Sequence, residues 1–261
     1  MSMAEKQTVT RQNIVTALKK LGLKQNDIVL VHGSLSRIGL VDGGADAVID
    51  ALLEVVGGNG TLLMPSFQSG SEFFLAQSKC VFDIRNSPSE LGIISETFRK
   101  RPGVIRSLSP THCTAGIGPE AWAILKDHEQ CRVSAGHGSP YHKLVQACGK
   151  ILLLGVDHSS NTTLQFVENT NGAPTLCRQL FEPAVIDLYG RMIAAPTWPH
   201  MPGLRRNYAR VENVLLEHAL QQNGRIGDAD SKLIDAKGMS ELIGGIIRRD
   251  PVFLIVPFSG D

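Results

Sequence analysis

The stretch VHGSLSRIG places His32, Gly33, Ser34, Leu35 and Ser36 directly after an apolar run. Small residues at such a strand end leave backbone N–H groups open to an anion, the chemistry of a phosphate or diphosphate cradle. A plain turn that needs glycine at positive φ would use the same residues. Imidazoles stand at several further places. His112 neighbours Cys113, but adjacent residues of a strand point to opposite faces, which disfavours a thiol–imidazole pair. His158 follows Asp157 at the C-terminal end of an apolar run, the end at which α/β sheets bind ligands. His137 lies in the glycine-rich GHGSPY. His128, Glu129 and Cys131 have metal-ligand chemistry confined to one short stretch, better explained as a solvated helix end, so no metal is expected. Glu96 stands four residues before Lys100, the spacing of a helix-surface ion pair. Gln165 stands three after Thr162, completing a T-x-x-Q capping box, with Glu168 on the same helix face.

These groups need a scaffold. DIVLVH (27–32), GTLLMPSF (60–67) and KILLLGV (150–156) read as buried strands. Between the first two, GGADAVIDALLEVVG sets Val48, Leu52 and Val55 on one helical face and ends at Gly57 and Gly58. A strand–helix–strand crossover joining parallel strands is expected. Ile14, Leu18 and Leu21 mark a first helix. SPSELGIISETFRK (87–100) predicts a helix opened by a capping box, with Ser87 as N-cap, Pro88 at N1 and Glu90 at N3. GMSELIGGIIRRDPVFLIVPF predicts a helix, a proline break and a strand. Around DLYGR, Val185, Ile186, Leu188, Met192 and Ile193 read as a hairpin. One α/β domain spanning 1–261 is expected, with a small β-rich insertion near 174–205.

The bulk properties exclude several classes. With 261 residues, 43% hydrophobic and 20% charged, the chain suffices for one large core. A net charge of +1 argues against nucleic acid or an anionic membrane as a partner. Five cysteines without a C-x-x-C pair point to reduced thiols in a cytoplasm. Residues 1–10 lack the apolar core of a secretory signal, and no apolar run approaches the roughly 18 residues a membrane span needs. There is no phosphate-binding G-x-x-x-x-G-K-[ST], no G-x-S-x-G nucleophile elbow and no H-E-x-x-H.

Five segments, in order, resemble the aminoglycoside 3-N-acetyltransferase family. They are VHGSLSRIG, GGADAVIDALLEVVGGNGTLLMPSF, SPSELGIISETFRKRPGVIRSLSPTHC, GHGSPYHKL and ILLLGVDHSSNTTLQFVE, and the resemblance spans about residues 10 to 257. It implies a three-layer α/β/α core with a mixed sheet. It also implies acetyl-CoA as acyl donor and, as acceptor, a small-molecule amine, often on an amino sugar. His32, Gly33, Ser34, Leu35 and Ser36, with Ser107, Pro110 and Thr111, would hold the cofactor. The family's base is a His in N-T-x-L-H-x-x-E, oriented by a Glu in G-x-x-x-E-x-F-R. The Glu is present as Glu96 and the His is replaced by Gln165, with Glu168 closing the pattern. The His that relatives place before the proline of the SLSPTHC segment is Ser109 here. Gln accepts no proton at useful pH, and losing a general base removes typically 10²–10⁴-fold of rate. His112 and His158 are the substitutes the sequence offers, and Glu96 is expected to line one cleft with Gln165. The alternative is an impaired homologue that binds CoA or a sugar without turnover.

Overall fold

A computed structural model describes residues 8–256. Ten strands occur among them. In chain order they are β1 (Ile28–Gly33), β2 (Thr61–Pro65), β3 (Val81–Asp83), β4 (Ile105–Arg106), β5 (Thr114–Ile117), β6 (Lys150–Leu154), β7 (Ala184–Ile186), β8 (Met192–Ala194), β9 (Gln221–Ile226) and β10 (Ala229–Asp235). Seven form one sheet in the order β4-β5-β2-β1-β6-β10-β9. β2, β1 and β6 run parallel, and the outer strands pair antiparallel. The sheet is mixed, as expected.

The apolar runs are continuous because both faces of the central strands are covered. Val29, Val31, Leu62, Met64, Leu152 and Leu154 pack on one face with the helices Arg11–Leu21 and Gly44–Val56. Leu30, Leu63, Ile151 and Leu153 pack on the other with Pro140–Gln146, Thr162–Thr170 and Ala236–Arg249. Leu30 is level with Leu63 on one side and Ile151 on the other, which fixes the register of the three parallel strands. A truncation such as Leu152→Ala in these layers costs about 2–5 kcal/mol through lost burial and a cavity. The helix Gly44–Val56 is the expected parallel crossover, ended by Gly57 at φ +69°.

Three local expectations need correction. The helix in 87–100 begins only at Ile93, after Gly92 at φ +106°. Ser87 instead accepts the Asp83 N–H through its hydroxyl, and Glu90 accepts Ser69 N–H and O–H, so the capping box never forms. The C-terminal helix Ala236–Arg249 is present, but the following residues turn and pair only as a single bridge, Arg206 with Ile255. Residues 257 and 258 of that expected strand lie outside the described residues. The hairpin around DLYGR exists as β7 and β8, and β3 joins it in parallel. The small β-rich region is therefore built from residues 81–83 as well as from 174–205.

The parallel order of β2, β1 and β6 brings the loops after all three to one edge of the sheet. β5 runs antiparallel to β2 with Thr114 opposite Pro65, so His112 and Cys113 reach the same edge. Ligands in α/β sheets bind at that place.

Candidate active site

Three cavities adjoin along this edge. The first, about 450 Å³, lies among Ser34, Arg37, Ser159, Ser160 and Lys232. The second, about 270 Å³, is walled by His32, Gly33, Phe67, Ile94, Ser95 and Gln165, and shares Val156, Ser159 and Ser160 with the first. The third, about 290 Å³, is lined by Glu72, Thr111, His112, His200 and Arg206. Phe67 and Gln165 belong to both the second and the third. One groove thus runs along the edge, and its inner passage is flanked by those two side chains.

Gln165 reaches the groove because it does not cap its helix. The N-cap is Asn161, whose side chain accepts the Thr163 N–H, and Thr162 is already helical. Behind Gln165 stands His112, with Nε2 at 3.1 Å from Gln165 Oε1. His112 Nδ1 lies 3.2 Å from Thr111 Oγ1 and 3.4 Å from Glu72 Oε1. Cys113 turns the other way, into a small apolar cluster, and its thiol faces the Ser107 carbonyl. The thiol and imidazole are not a pair.

Glu72, the first residue of the short helix Glu72–Gln77, is buried and fully bonded. Its Oε1 accepts from Thr111 Oγ1 at 3.2 Å and from Ser134 Oγ. Its Oε2 accepts from the His200 backbone N–H at 2.9 Å and from His200 Nδ1 at 2.5 Å. Burial pushes the Glu72 carboxyl up, but the fields and hydrogen bonds of His112 and His200 outweigh it and hold the group well below the usual carboxylate range. His32 shows the opposite balance. Burial alone drives its imidazole down to about 3, so it is neutral at working pH. Its Nε2 is buried without a hydrogen-bond partner among the described residues.

The other residues expected at the site divide. Gly33 and Ser34 line the groove, and Gly33 is ordinary strand rather than positive-φ turn. A Cβ on Gly33 would stand 3.3 Å from Ile94 Cδ1. Thr111 lines the third cavity. Leu35 packs on the core instead, and the exposed Ser36 bonds to Ser34. Ser107 is buried elsewhere, bonded to His128 Nδ1 and the Thr114 N–H, and Pro110 is likewise buried off the groove walls. His128 is accordingly no solvated helix end: it bridges Ser107 to the Ser134 carbonyl.

Glu96 does not share a cavity wall with Gln165. Its carboxylate is taken by Arg99 at 2.6 Å, Lys100 at 2.7 Å and the Ser89 N–H at 2.7 Å, the ion-pair reading of its spacing. Glu168 is wholly buried and lines none of the three cavities; its Oε2 accepts from Arg206 Nε at 2.9 Å and Tyr208 O–H at 2.7 Å. His158 is buried beside Gln221 at 2.8 Å, and burial lowers its pKa. It lines none of the three cavities.

Sequence reasoning missed Glu72, His200, Phe67 and Arg206. The available signal was a lone Glu opening the apolar SEFFLA and a His between prolines in WPHMP.

A family model described as aminoglycoside 3-N-acetyltransferase matches residues 30–245. Aminoglycoside N(3)-acetyltransferase IV of Salmonella sp is 29% identical over 256 residues, covering 96% of this chain and 92% of that protein. The SPbeta prophage-derived aminoglycoside N(3')-acetyltransferase-like protein YokD of Bacillus subtilis (strain 168) is 36% identical over 176 residues, 61% of this chain and 64% of YokD. The crystal structure of AAC(3)-IVa apoenzyme superposes with a TM-score of 0.82 at 26% identity, covering 98% of this chain and 95% of its own. AAC-IIIb in binary complex with CoASH superposes with a TM-score of 0.80 at 27% identity, covering 93% and 98%. The shared three-layer fold and the near-complete span agree: the chain belongs to the aminoglycoside 3-N-acetyltransferase family.

Proposed function

We propose that this protein transfers the acetyl group of acetyl-CoA to an amine of an amino sugar or a related small molecule. The observation that carries this reading is the groove, which joins a polar outer cavity to an inner one across Gln165 and Phe67. That is the layout needed to bring two substrates together at one point. AAC-IIIb binds CoASH, and a mutant of AAC(3)-IVa binds apramycin.

The residues present fit a long acyl donor. Arg37 and Lys232, with the hydroxyls of Ser34, Ser159 and Ser160, suit the phosphates at the outer end. The carboxylates of Asp157, Asp228 and Asp230 share that cavity, and two of them are engaged, Asp157 by Ser159 and Asp230 by Arg225. His32 walls the middle cavity, and its buried Nε2 has no hydrogen-bond partner among the described residues, a costly arrangement for a polar atom. Acetyl-CoA supplies an activated acyl carbon when bound. The chain orders the donor along the groove and holds the acceptor in the inner cavity beside Glu72, His112 and His200.

Calorimetry with CoA, followed by free-thiol release from acetyl-CoA over a panel of amines, tests the reading. Binding with amine-dependent thiol release is expected. Binding without release from any amine would leave a non-catalytic CoA or sugar binder.

A further inference from the structure

One imidazole beside the inner passage has a carboxylate behind it and a nitrogen facing the groove, and Asn169 settles the protons around it. The Asn169 Nδ2 donates to the Ala135 carbonyl at 3.0 Å, and its Oδ1 accepts from Thr175 Oγ1 at 2.8 Å, so the amide orientation is fixed. The other Nδ2 hydrogen faces His200 Nε2 at 3.1 Å, which must accept it. His200 therefore carries its proton on Nδ1 and gives it to Glu72. Glu72, His112 and His200 offer donor atoms within 4.8 Å of one another, a possible metal triad. A metal on His200 Nδ1 would displace that proton and set an Nε2–H against the Asn169 amide, two donors facing each other. The hydrogen-bond directions favour a proton-handling cluster over a cation.

His112 directs a second ring nitrogen at the buried Glu72 carboxylate, 3.4 Å from Oε1. Its Nδ1 faces Glu72 and Thr111, and its Nε2 faces the groove beside the Gln165 amide; with Gln165 Oε1 nearest, Nε2 carries a proton, and the bare nitrogen of the base form is met by the amide's NH2 end once that group turns over. The other charged or titratable groups around it are engaged: Arg206 with Glu168, His128 with Ser107 and Ser134. Phe67 covers the ring, with centroids 5.0 Å apart.

Resting on the transferase reading above, we propose that His112 is the general base of this chain, with Glu72 as its positioning residue, and that it meets the acceptor amine where the Gln165 amide now covers Nε2. His112 Nε2 takes a proton from the neutral amine as nitrogen bonds to the acetyl carbon. The carbon–sulfur bond of the thioester breaks, its electron pair leaves on sulfur, and the proton passes from the imidazolium to that thiolate. An amide and a free thiol result. Glu72 steadies the imidazolium in between, and His200 and Ser134 hold Glu72.

The test measures thiol release from pH 6 to 9, CoA affinity by calorimetry and histidine ¹⁵N NMR for wild type, His112→Gln, Glu72→Gln and, as a control, His158→Asn. His112→Gln is expected to lower kcat by about 10²–10⁴-fold with CoA affinity unchanged. Glu72→Gln is expected to lower kcat less and to move the acid limb of the profile to lower pH, which a merely structural residue would not do. His158→Asn keeps the wild-type profile. The spectrum should show His112 with its proton on Nδ1. Wild-type activity and pH profile in His112→Gln would overturn the proposal, as would a His112 Nε2 protonated throughout this range. If Glu72→Gln does not fold, His112→Gln and the spectrum decide. CoA binding with no thiol release from the wild type would remove the transferase reading, and the base with it.

Discussion

His112 Nε2 stands 3.1 Å from Gln165 Oε1, so a side chain flanking the inner passage is bonded to the imidazole behind it. Restoring the family's imidazole by Gln165→His would place two rings side by side. The carboxylate that the family resemblance assigns to orient such a ring is Glu96, and here it is held by Arg99, Lys100 and Ser89. The new ring would lack its positioning partner. Thiol-release rates should rise by less than about 10-fold, the low end of general-base assistance. A larger gain would mean that His112 is not the working base.

Glu96 carries a stability prediction with a definite sign. The hydrogen bond from Arg99, opposed by burial and aided by Lys100 and the Ser89 N–H, lowers its pKa from 4.5 to about 2. Its contribution is therefore full above pH 4.5 and is lost as pH falls through about 2. Glu96→Gln should cost about 1–2 kcal/mol at pH 7, trimmed by solvent screening of Lys100. Urea unfolding should show the variant and wild type converging towards pH 2. A gap that stays constant with pH would contradict the ion-pair assignment.

The inner cavity bears on acceptor choice. Glu72 is the only carboxylate on its wall among the described residues, and its oxygens are already filled, while Arg206 on the same wall is paired with the buried Glu168. A polycationic acceptor finds no free carboxylate there to offset the cost of desolvating its charges. Amino sugars with one amine should show kcat/KM on the order of 10-fold or more above those with four or five. The reverse preference, steeply weakened by salt, would show that acidic groups outside this cavity hold the acceptor.

Arg37 is exposed at the outer end of the groove, beside Ser34. Arg37→Ala should weaken CoA by about fivefold, the equivalent of roughly 1 kcal/mol for an exposed ion pair, with less effect on a pantetheine fragment that lacks the diphosphate. Equal loss for both compounds would place the phosphates elsewhere.

The parallel strands and their crossover were legible because a sheet covered on both faces writes unbroken apolar runs, as in DIVLVH and KILLLGV. The capping box at Ser87 misled because tertiary contacts took its members: Glu90 is drawn to Ser69 and Ser87 to Asp83. At the site, Gln165 and His112 stood out beside the family resemblance. The pair that controls His112 did not, since Glu72 and His200 lie 128 residues apart and meet only through folding. No helix among the described residues is long and apolar enough to cross a membrane, and none of the five cysteines is paired with another.

A crystal structure with CoA and a single-amine amino sugar tests the central claim most directly. The account places the cofactor sulfur in the middle cavity between His32 and Gln165, the phosphates near Arg37 and Lys232, and the acceptor nitrogen within hydrogen-bond reach of His112 Nε2. A cofactor lying in the cavity of Glu72 and His200, or an acceptor amine seated away from His112, would contradict it.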